Sequence, residues 1–205
     1  MAKKLLNPRG YLSWTQISMW LQSPEKYVRH YIHGEAEFKN SAMDFGSKTA
    51  LALETGDQSD DELINALVAM IPRYKSPEHE IRAPFKTKNG EVDLLGKLDS
   101  FCPDTYSIME YKTGRNGWTQ RKAETHKQLD HYNALVWLKH KIIPPKSELI
   151  WAETEQGENG IILTGHVETF EVTKSLSEIL EYLAIVARVA REIDARYKEE
   201  LKKLT

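Results

Sequence analysis

One stretch of the chain joins an apolar run to two charges, which few folds accommodate. Residues 106–114 read YSIMEYKTG, an apolar segment that ends in an acid, a spacer and a lysine. The pattern predicts a buried strand. Side chains alternate faces along a strand, so Glu110 and Lys112 share one face and Tyr111 takes the other. Burying either charge is costly unless it is paired or bound to metal. The two charges therefore form either an ion pair at a sheet edge or part of a metal site.

Composition restricts the class of protein. A chain of 205 residues with 40% hydrophobic residues is long enough to bury a substantial core, and we expect residues 1–205 to form a single domain. The net charge of −2 means that affinity for nucleic acid would require a local basic patch. Cys102 is the only cysteine, which excludes an intrachain disulfide and a four-cysteine metal site. No signal peptide or membrane span is predicted, so we expect a cytoplasmic protein.

Helical periodicity dominates the first part of the chain. Residues 13–16 have the form of a capping box, which predicts a helix starting at Ser13, and Pro24 predicts a break between two short helices. The Trp and Tyr residues of these helices would suit base stacking or a core, and their helical spacing favours the core. Two further helices are predicted over residues 43–54 and 60–71.

A pair of antiparallel strands is predicted before the charged run. The Asn-Gly dipeptide at 89–90 is typical of a tight hairpin, so a strand over 77–87 would turn back into a strand over 92–101. The next strand carries the charged run. We therefore expect Asp99 and Glu110 to lie on neighbouring antiparallel segments of one sheet.

The second half predicts helices alternating with strands. A long helix is expected over 120–140, strands over 147–154 and 161–172, and a closing helix over 175–204. Apolar residues of the closing helix repeat at three and four, which suits either packing on the sheet or a coiled-coil contact. No internal repeat is evident.

The order of the polar residues is more specific than any single motif. An acid ends a helix at Glu54, Asp99 closes a Gly-x-x-Asp motif, a Glu-x-Lys motif follows eleven residues later, and a Gln-x-x-x-Tyr motif lies on the next helix. This order resembles the PD-(D/E)XK nuclease superfamily, and within it the RecB-like exonuclease branch. Residues 13–27 are similar to the opening Ser-x-x-Gln…Cys-Pro-x-x-Tyr/Phe segment of the branch. Residues 45–54 are similar to its Gly-x-x-x-His-x-x-x-Glu helix.

The resemblance implies an α/β fold with a restriction-endonuclease-like core, a central mixed β-sheet flanked by helices and a long C-terminal helix. It also implies a metal-dependent DNA nuclease, in the first place an exonuclease of phage or bacterial recombination or repair. The catalytic residues that it implies are Asp99, Glu110, Lys112, Gln128 and Tyr132. The metal ligands that it implies are Glu54, Asp99, Glu110 and the backbone carbonyl of Tyr111. Such oxygen ligands suit Mg²⁺ or Mn²⁺.

The resemblance also assigns roles and partners. Lys112 would hold or deprotonate the attacking water, or stabilise the developing negative charge. Gln128 and Tyr132, four residues apart on one helical face, would orient Lys112, the water or a phosphate oxygen. DNA is the implied substrate, and a homo-oligomer or a helicase or recombination partner would supply processivity. No membrane association is expected.

Two departures from the family pattern leave an alternative open. Ala50 replaces the usual histidine ligand, and Ser23 stands where many relatives have the first cysteine of an iron–sulfur cluster. With Cys102 alone, no iron–sulfur cluster is expected. The loss of the histidine favours, as the alternative function, a catalytically weak nuclease-fold module that binds DNA or assists assembly. A more distant alternative is a structural interaction protein that uses the long C-terminal helix.

Each implied site residue also has a purely structural interpretation. Asp99, Glu110 and Lys112 would form an ordinary ion-pair network, Glu54 would be solvated at a helix end, and Gln128 and Tyr132 would only pack. Four basic residues flank the site and would bind phosphates or form a solvated face. They are Arg115, Arg121, Lys122 and Lys127. The scattered histidines are given no metal role.

Overall fold

The computed structural model describes residues 3–36, 41–55, 59–71, 79–158 and 160–203, without the side chains of 41–43 and 54–55. The helices are α1 (Trp14–Gln22), α2 (Pro24–Tyr27, continued by a π-helical turn over Val28–Ile32), α3 (Ser41–Thr55), α4 (Glu62–Met70), α5 (Gln120–Glu124), α6 (Lys127–His140) and α7 (Leu176–Lys203). The strands are β1 (His79–Thr87), β2 (Gly90–Leu98), β3 (Ser100–Cys102), β4 (Ser107–Gly114), β5 (Ser147–Gly157) and β6 (Gly160–Val172). The predicted stop of α3 at Gly56 lies outside the described residues.

The central sheet is mixed and has the strand order β3-β4-β5-β6. β4 runs parallel to β5, and the other two pairs are antiparallel. β1 and β2 form a separate antiparallel hairpin, as the Asn-Gly dipeptide predicts. The single strand predicted over 92–101 is wrong in one respect, because it is divided at Asp99. At this residue the chain leaves the hairpin and enters the central sheet.

Helices cover both faces of the sheet, so that the described chain has three layers. Ile108 and Leu149 on one face belong to a core that α1, α6 and α7 complete. Met109 and Ile150, the next residues along the same strands, belong to a second core with α3 and α4. This alternation is what a strand buried on both sides requires. The predicted α/β class, with a mixed sheet flanked by helices and a long C-terminal helix, is confirmed.

The N-terminal helices begin and break where the sequence predicts. Ser13 precedes α1, and Pro24 opens α2. The capping box itself is wrong, because the Ser13 side chain caps no amide and the Gln16 side chain donates to the Tyr11 carbonyl (3.1 Å). Trp20 and Tyr27 are buried, which confirms the core interpretation of the aromatic residues.

The helix predicted over 120–140 is wrong in one respect, since it is two helices. α5 ends at Glu124 and α6 begins at Lys127. The ammonium of Lys174, far along the chain, donates to the Glu124 carbonyl. At the end of α5 this side chain from another element thus gives the Glu124 carbonyl a partner outside the helical ladder, and the chain turns before it resumes as α6.

The C-terminal helix α7 packs on the face of the sheet that α6 also covers. Its buried residues, such as Ile179, Val186 and Ile193, join the same core as the sheet and α6. This agrees with the first of the two predicted uses of its apolar stripe. Within the described ranges, no helix combines the length and the apolar character that crossing a bilayer requires.

Candidate active site

A chain of hydrogen bonds links the end of β4 to the first two turns of α6. The Lys112 ammonium donates to Glu110 Oε1 and to Gln128 Oε1 (2.9 Å). Gln128 Nε2 donates to the Tyr132 hydroxyl (2.8 Å), which donates to the Lys97 carbonyl of β2 (2.7 Å). The structure therefore brings together four of the five predicted catalytic side chains.

The fifth predicted residue, Asp99, lies beside the same strand. Its Oδ2 accepts the backbone amide of Tyr111 (2.9 Å). The β3–β4 ladder starts with Ser100 opposite Met109, so Asp99 stands at its open end, level with Glu110. The Asp99 carboxylate thus takes the place of a strand partner for the Tyr111 amide. This contact also brings the backbone of Tyr111 next to a carboxylate.

Glu110 is the most confined group of the site. The residue is 1% exposed, and its Oε2 atom has no hydrogen-bond partner among the described residues. Burial raises the pKa of the Glu110 carboxyl to about 8; the Lys112 ammonium opposes the rise, and the Asp99 carboxylate adds to it. The carboxylates of Glu110 and Asp99 are thus close enough to repel each other. This arrangement is unfavourable for folding, which argues against a purely structural role for Glu110.

Burial acts on the pKa of Lys112 in the opposite sense to its effect on Glu110. Burial alone lowers the pKa of its ammonium, but the attraction of Glu110 and Asp99 outweighs burial and leaves the pKa above its usual value. The side chain is therefore a fixed cation. Held between a carboxylate and an amide oxygen, it is positioned rather than freely rotating.

Gly96 explains how α6 comes close enough to supply its polar residues. A Cβ atom at this position of β2 would lie 2.5 Å from Leu135 Cδ1 and 3.2 Å from the Tyr132 ring. A side chain here would therefore force the Leu135 methyl and the Tyr132 ring to move. The glycine of the Gly-x-x-Asp motif therefore has a packing function, while the aspartate faces the site.

The remaining predicted site residue, Glu54, belongs to α3, as does Ala50. α3 packs on the face of the sheet opposite to the one that carries Glu110, with Gly46 beside Thr113. Ala50 is exposed and offers no ligand atom. The side chain of Glu54, one turn further, lies outside the described residues, so its metal role stays a prediction.

Among the flanking basic residues, Lys127 pairs with Asp130 (2.8 Å) and is thus used in the structure. Lys122 lies over the Trp118 ring, with its Nζ 4.3 Å from the ring centroid. Arg115 and Arg121 are exposed. The predicted basic face is therefore divided between structural contacts and solvent-exposed cations.

Sequence reasoning missed one residue of this region, His126. It precedes α6 as its N-terminal cap position and packs edge-on against Trp118, with ring centroids 5.0 Å apart. Burial, together with the charge of Lys112, lowers the pKa of His126 to about 4, so the ring is neutral. Its Nε2 atom is buried without a partner among the described residues. The sequence signal was its place two residues before Gln128.

Two carboxylates of the site are candidate ligands of a divalent cation. Within the described part of the chain, no group of three or more His, Cys, Asp or Glu side chains is placed to hold a metal ion. The pair Asp99 and Glu110 nevertheless suits Mg²⁺, which in proteins commonly takes one or two carboxylates and keeps several waters. The Oε2 of Glu110 is a buried hard oxygen without a hydrogen-bond partner among the described residues, which is the kind of donor atom that Mg²⁺ binds. The residues present therefore fit the implied ion.

Comparison with known proteins gives a fold but no sequence relative. No protein-family model matches the sequence, and no curated protein does. Among solved structures, a candidate exonuclease from Eubacterium rectale matches with a TM-score of 0.61 and 13% identity, over 93% of this chain and 82% of that one. An alkaline exonuclease from Laribacter hongkongensis matches with a TM-score of 0.57 and 12% identity, over 97% and 96%. The chain has a nuclease fold.

A third match supports the same fold. A phage-related exonuclease from Haemophilus somnus 129PT has a TM-score of 0.50 and 9% identity, over 90% of this chain and 83% of that one. The three matches thus cover 90% or more of this chain and 82% to 96% of the solved chains. At such identities the likeness concerns the fold, so function must be argued from the site.

Proposed function

We propose that this chain is a Mg²⁺- or Mn²⁺-dependent deoxyribonuclease, an exonuclease of the PD-(D/E)XK superfamily in its RecB-like branch, built as a single domain over residues 1–205. The observation that carries the proposal is the Glu110 carboxylate. It is fully buried beside Asp99 and Lys112, with one oxygen unpartnered among the described residues. The exonuclease fold of the structural neighbours supports the same reaction class.

In this proposal Asp99 and Glu110 hold the cation, with the Tyr111 carbonyl and Glu54 as further ligands. When bound, the cation neutralises charge on the phosphodiester and makes a water a better nucleophile. No iron–sulfur cluster is proposed, because the chain has a single cysteine.

The chain's own residues supply positioning and charge. Lys112, held between Glu110 and Gln128, would position or deprotonate the attacking water, or stabilise charge on the phosphate. Gln128 fixes the ammonium through its Oε1, and Tyr132 fixes the Gln128 amide. The Lys97 carbonyl anchors that pair to β2. The catalytic set is therefore Asp99, Glu110, Lys112, Gln128 and Tyr132.

DNA is the proposed substrate, and the proposed setting is phage or bacterial recombination or repair in the cytoplasm. The Laribacter exonuclease has also been solved in complex with dAMP, which supports a deoxynucleotide ligand for this fold. Arg115 and Arg121, which are exposed and lie between Lys112 and Gln128 in the sequence, would bind backbone phosphates. A homo-oligomer or a helicase or recombination partner would keep the enzyme on its substrate.

The test is cleavage of end-labelled linear duplex DNA and of closed circular plasmid, with Mg²⁺, Mn²⁺ or a chelator. We expect metal-dependent shortening of the linear DNA and intact circles. Lys112→Ala and Glu110→Gln should each lower the rate at least about 100-fold. Glu148→Gln is the matched control. This buried glutamate of β5 pairs with Lys146 (2.8 Å) and lies, by register, on the other face of the sheet.

Cleavage that survives both substitutions would remove this active site. Cleavage of closed circles would replace the exonuclease with an endonuclease. Metal-dependent DNA binding without any cleavage would favour the second candidate, a catalytically weak nuclease-fold module, for which the exposed Ala50 in the histidine position is the specific observation.

A further inference from the structure

A large groove lies at the opposite end of α6 from the candidate active site. It encloses about 1020 Å³ between the tip of the β1–β2 hairpin, the end of α6 and the middle of α7. Gln128 is in the first turn of α6, whereas the groove begins at Trp137, roughly 14 Å further along the helix at 1.5 Å per residue. The groove is therefore separate from the nuclease site.

The floor of the groove is apolar. It is formed by Phe85, Trp137, Leu138, Leu180 and Leu183. Leu180 is 48% exposed, and the first three are only partly buried. A contiguous exposed apolar surface of this kind in a water-soluble fold usually marks a site of contact with another molecule.

The rim of the groove is basic. Its cations are Lys86, Lys88, Lys141, Arg188 and Arg191, and among the described residues no Asp or Glu lines the groove. Arg188 contacts Glu192 (3.4 Å), whereas Lys86, Lys88 and Arg191 form no ion pair with any described residue. In a chain of net charge −2 this is a marked local excess of positive charge. An anionic partner would complement it.

The shape of the floor selects a helix as the occupant. Along α7 the lining residues Leu180, Leu183, Ala184 and Ala187 recur at three and four, and the groove extends from residue 180 to residue 191, roughly 16 Å or three helical turns. A surface of that length and spacing receives the apolar stripe of another helix, ridge into groove. Acidic residues beside that stripe would then face the cations of the rim.

Two other occupants fit less well. Interfaces with nucleic acid are more polar than interfaces between proteins, because their contacts go mainly to phosphate and sugar, and this floor offers no such donors. A two-fold symmetric contact between copies of the chain would set the basic rim against itself. Nucleic acid would therefore leave the apolar floor without a complement, and a second copy of the chain would leave the positive rim without one.

We propose that this groove binds an acidic amphipathic helix of a partner protein. The apolar face of the helix would cover the floor, with Leu180 and Trp137 as central contacts, and its carboxylates would pair with Lys88 and Arg191. The interface is independent of the nuclease site, and its test uses no cleavage assay. Failure of one proposal therefore leaves the other standing.

The probe is a synthetic, fluorescein-labelled helical peptide of about 15 residues, roughly 22 Å long, with leucines at positions i, i+3, i+4 and i+7 and glutamates beside them. Fluorescence anisotropy with the full chain should show saturable binding. The same peptide with lysines in place of the glutamates should bind at least about tenfold more weakly, as should a scrambled acidic peptide.

Matched variants of the chain locate the site. Arg191→Glu and Lys88→Glu should each weaken binding of the acidic peptide about tenfold or more, whereas Lys139→Glu, an equal charge change on α6 outside the groove, should leave it unchanged. Leu180→Gln should weaken it as well. Leu201→Gln, an exposed leucine near the end of α7, is its control.

Several results would overturn the proposal. Equal binding of the acidic and basic peptides would do so, as would binding that ignores Arg191 and Leu180. Binding of a DNA duplex that is lost in the Arg191 and Lys88 variants would assign the groove to nucleic acid instead. A dimer in sedimentation analysis that Leu180→Gln dissociates would assign it to a second copy of the chain.

Discussion

The side chains of Lys112 and Gln128 are joined by a 2.9 Å hydrogen bond that ties the exit of β4 to the first turn of α6. On its other side the same ammonium is paired with Glu110. A charge-assisted bond to a fixed amide oxygen gives the ammonium one preferred position. The spacing of Gln128 and Tyr132 therefore matters because Gln128 contacts Lys112 directly and Tyr132 contacts Gln128.

Removing the amide of Gln128 should reduce activity more than stability. In Gln128→Ala the Lys112 ammonium keeps Glu110 but loses its second contact, so we expect the rate of DNA cleavage to fall about tenfold. The residue is only half-buried, so the free energy of unfolding should change by no more than about 1 kcal/mol. Steady-state kinetics and urea denaturation measure the two effects.

Gln120→Ala is the control for that variant. This glutamine of α5 bonds to Glu124 and to the Glu171 carbonyl, away from Lys112. Its removal should leave the cleavage rate unchanged. If both glutamine variants lost activity equally, the specific role of the Lys112–Gln128 contact would be wrong.

Glu110→Gln should separate stability from metal binding. The folded-state pKa of about 8 lies above the ordinary value of 4.5, so the folded protein holds an extra proton between these values and loses stability as pH rises through this window. Without metal at pH 8, the glutamine variant should therefore melt at a higher temperature than the wild type. The difference should shrink as pH falls toward 4.5.

Added Mn²⁺ should reverse that order. At 100 times its dissociation constant, the ion stabilises a native site by about 2.7 kcal/mol, which for a domain of this size raises the melting temperature by roughly 5 to 10 °C. We expect this shift in the wild type and none in Glu110→Gln. Thermal melts with Mn²⁺ or with chelator test it. An equal shift in both proteins would show that Glu110 is not a ligand.

The buried His131 should make stability depend on pH in the acid range. Its Nε2 donates to the Leu95 carbonyl (3.0 Å) and its Nδ1 accepts from the Tyr182 hydroxyl (2.9 Å), which fixes a neutral ring. Burial lowers the pKa of His131 to about 4. Since the unfolded value is near 6.5, the unfolded state binds more protons between pH 6.5 and 4, and the contribution of His131 to stability is lost as pH falls through this window.

The size of that loss can be measured by difference. Urea denaturation of the wild type and His131→Gln at pH 7 and at pH 4.5 isolates this one group from all other titrations. The stability advantage of the wild type should shrink by as much as roughly 3 kcal/mol at the lower pH. An advantage that stays constant between the two pH values would contradict a neutral buried ring.

Local patterns predicted most of the fold, and the break after Glu124 shows one limit of such patterns. The hairpin turn and the alternation of Ile108 with Met109 are local, and the structure has both. At the break after Glu124, the carbonyl of this residue accepts from Lys174, which is fifty residues away. No pattern within the segment 120–140 contains that contact.

The site and the groove show the same division. The order of Asp99, Glu110 and Lys112 with the later Gln128 and Tyr132 indicated which side chains would meet, because strand and helix periodicities set their faces. The neutral state of His126 was not predictable, since burial by the fold determines it. The groove was equally hidden, because it requires the hairpin, α6 and α7 to lie side by side.

Lys174 and Asp130 form a buried ion pair whose disruption should be strongly destabilising. Their side chains are 4% and 5% exposed, and the Nζ–Oδ1 distance is 2.8 Å. Lys174→Met leaves the Asp130 carboxylate buried with only the half-exposed Lys127 and frees the Glu124 carbonyl, so we expect a loss of about 3 to 5 kcal/mol in the free energy of unfolding. Lys127→Met, which removes the exposed partner of the same carboxylate, should cost at most about 1 kcal/mol.

In urea denaturation, Asp130→Asn should recover part of the loss in the Lys174→Met background. Equal costs for the two lysines would contradict the burial argument.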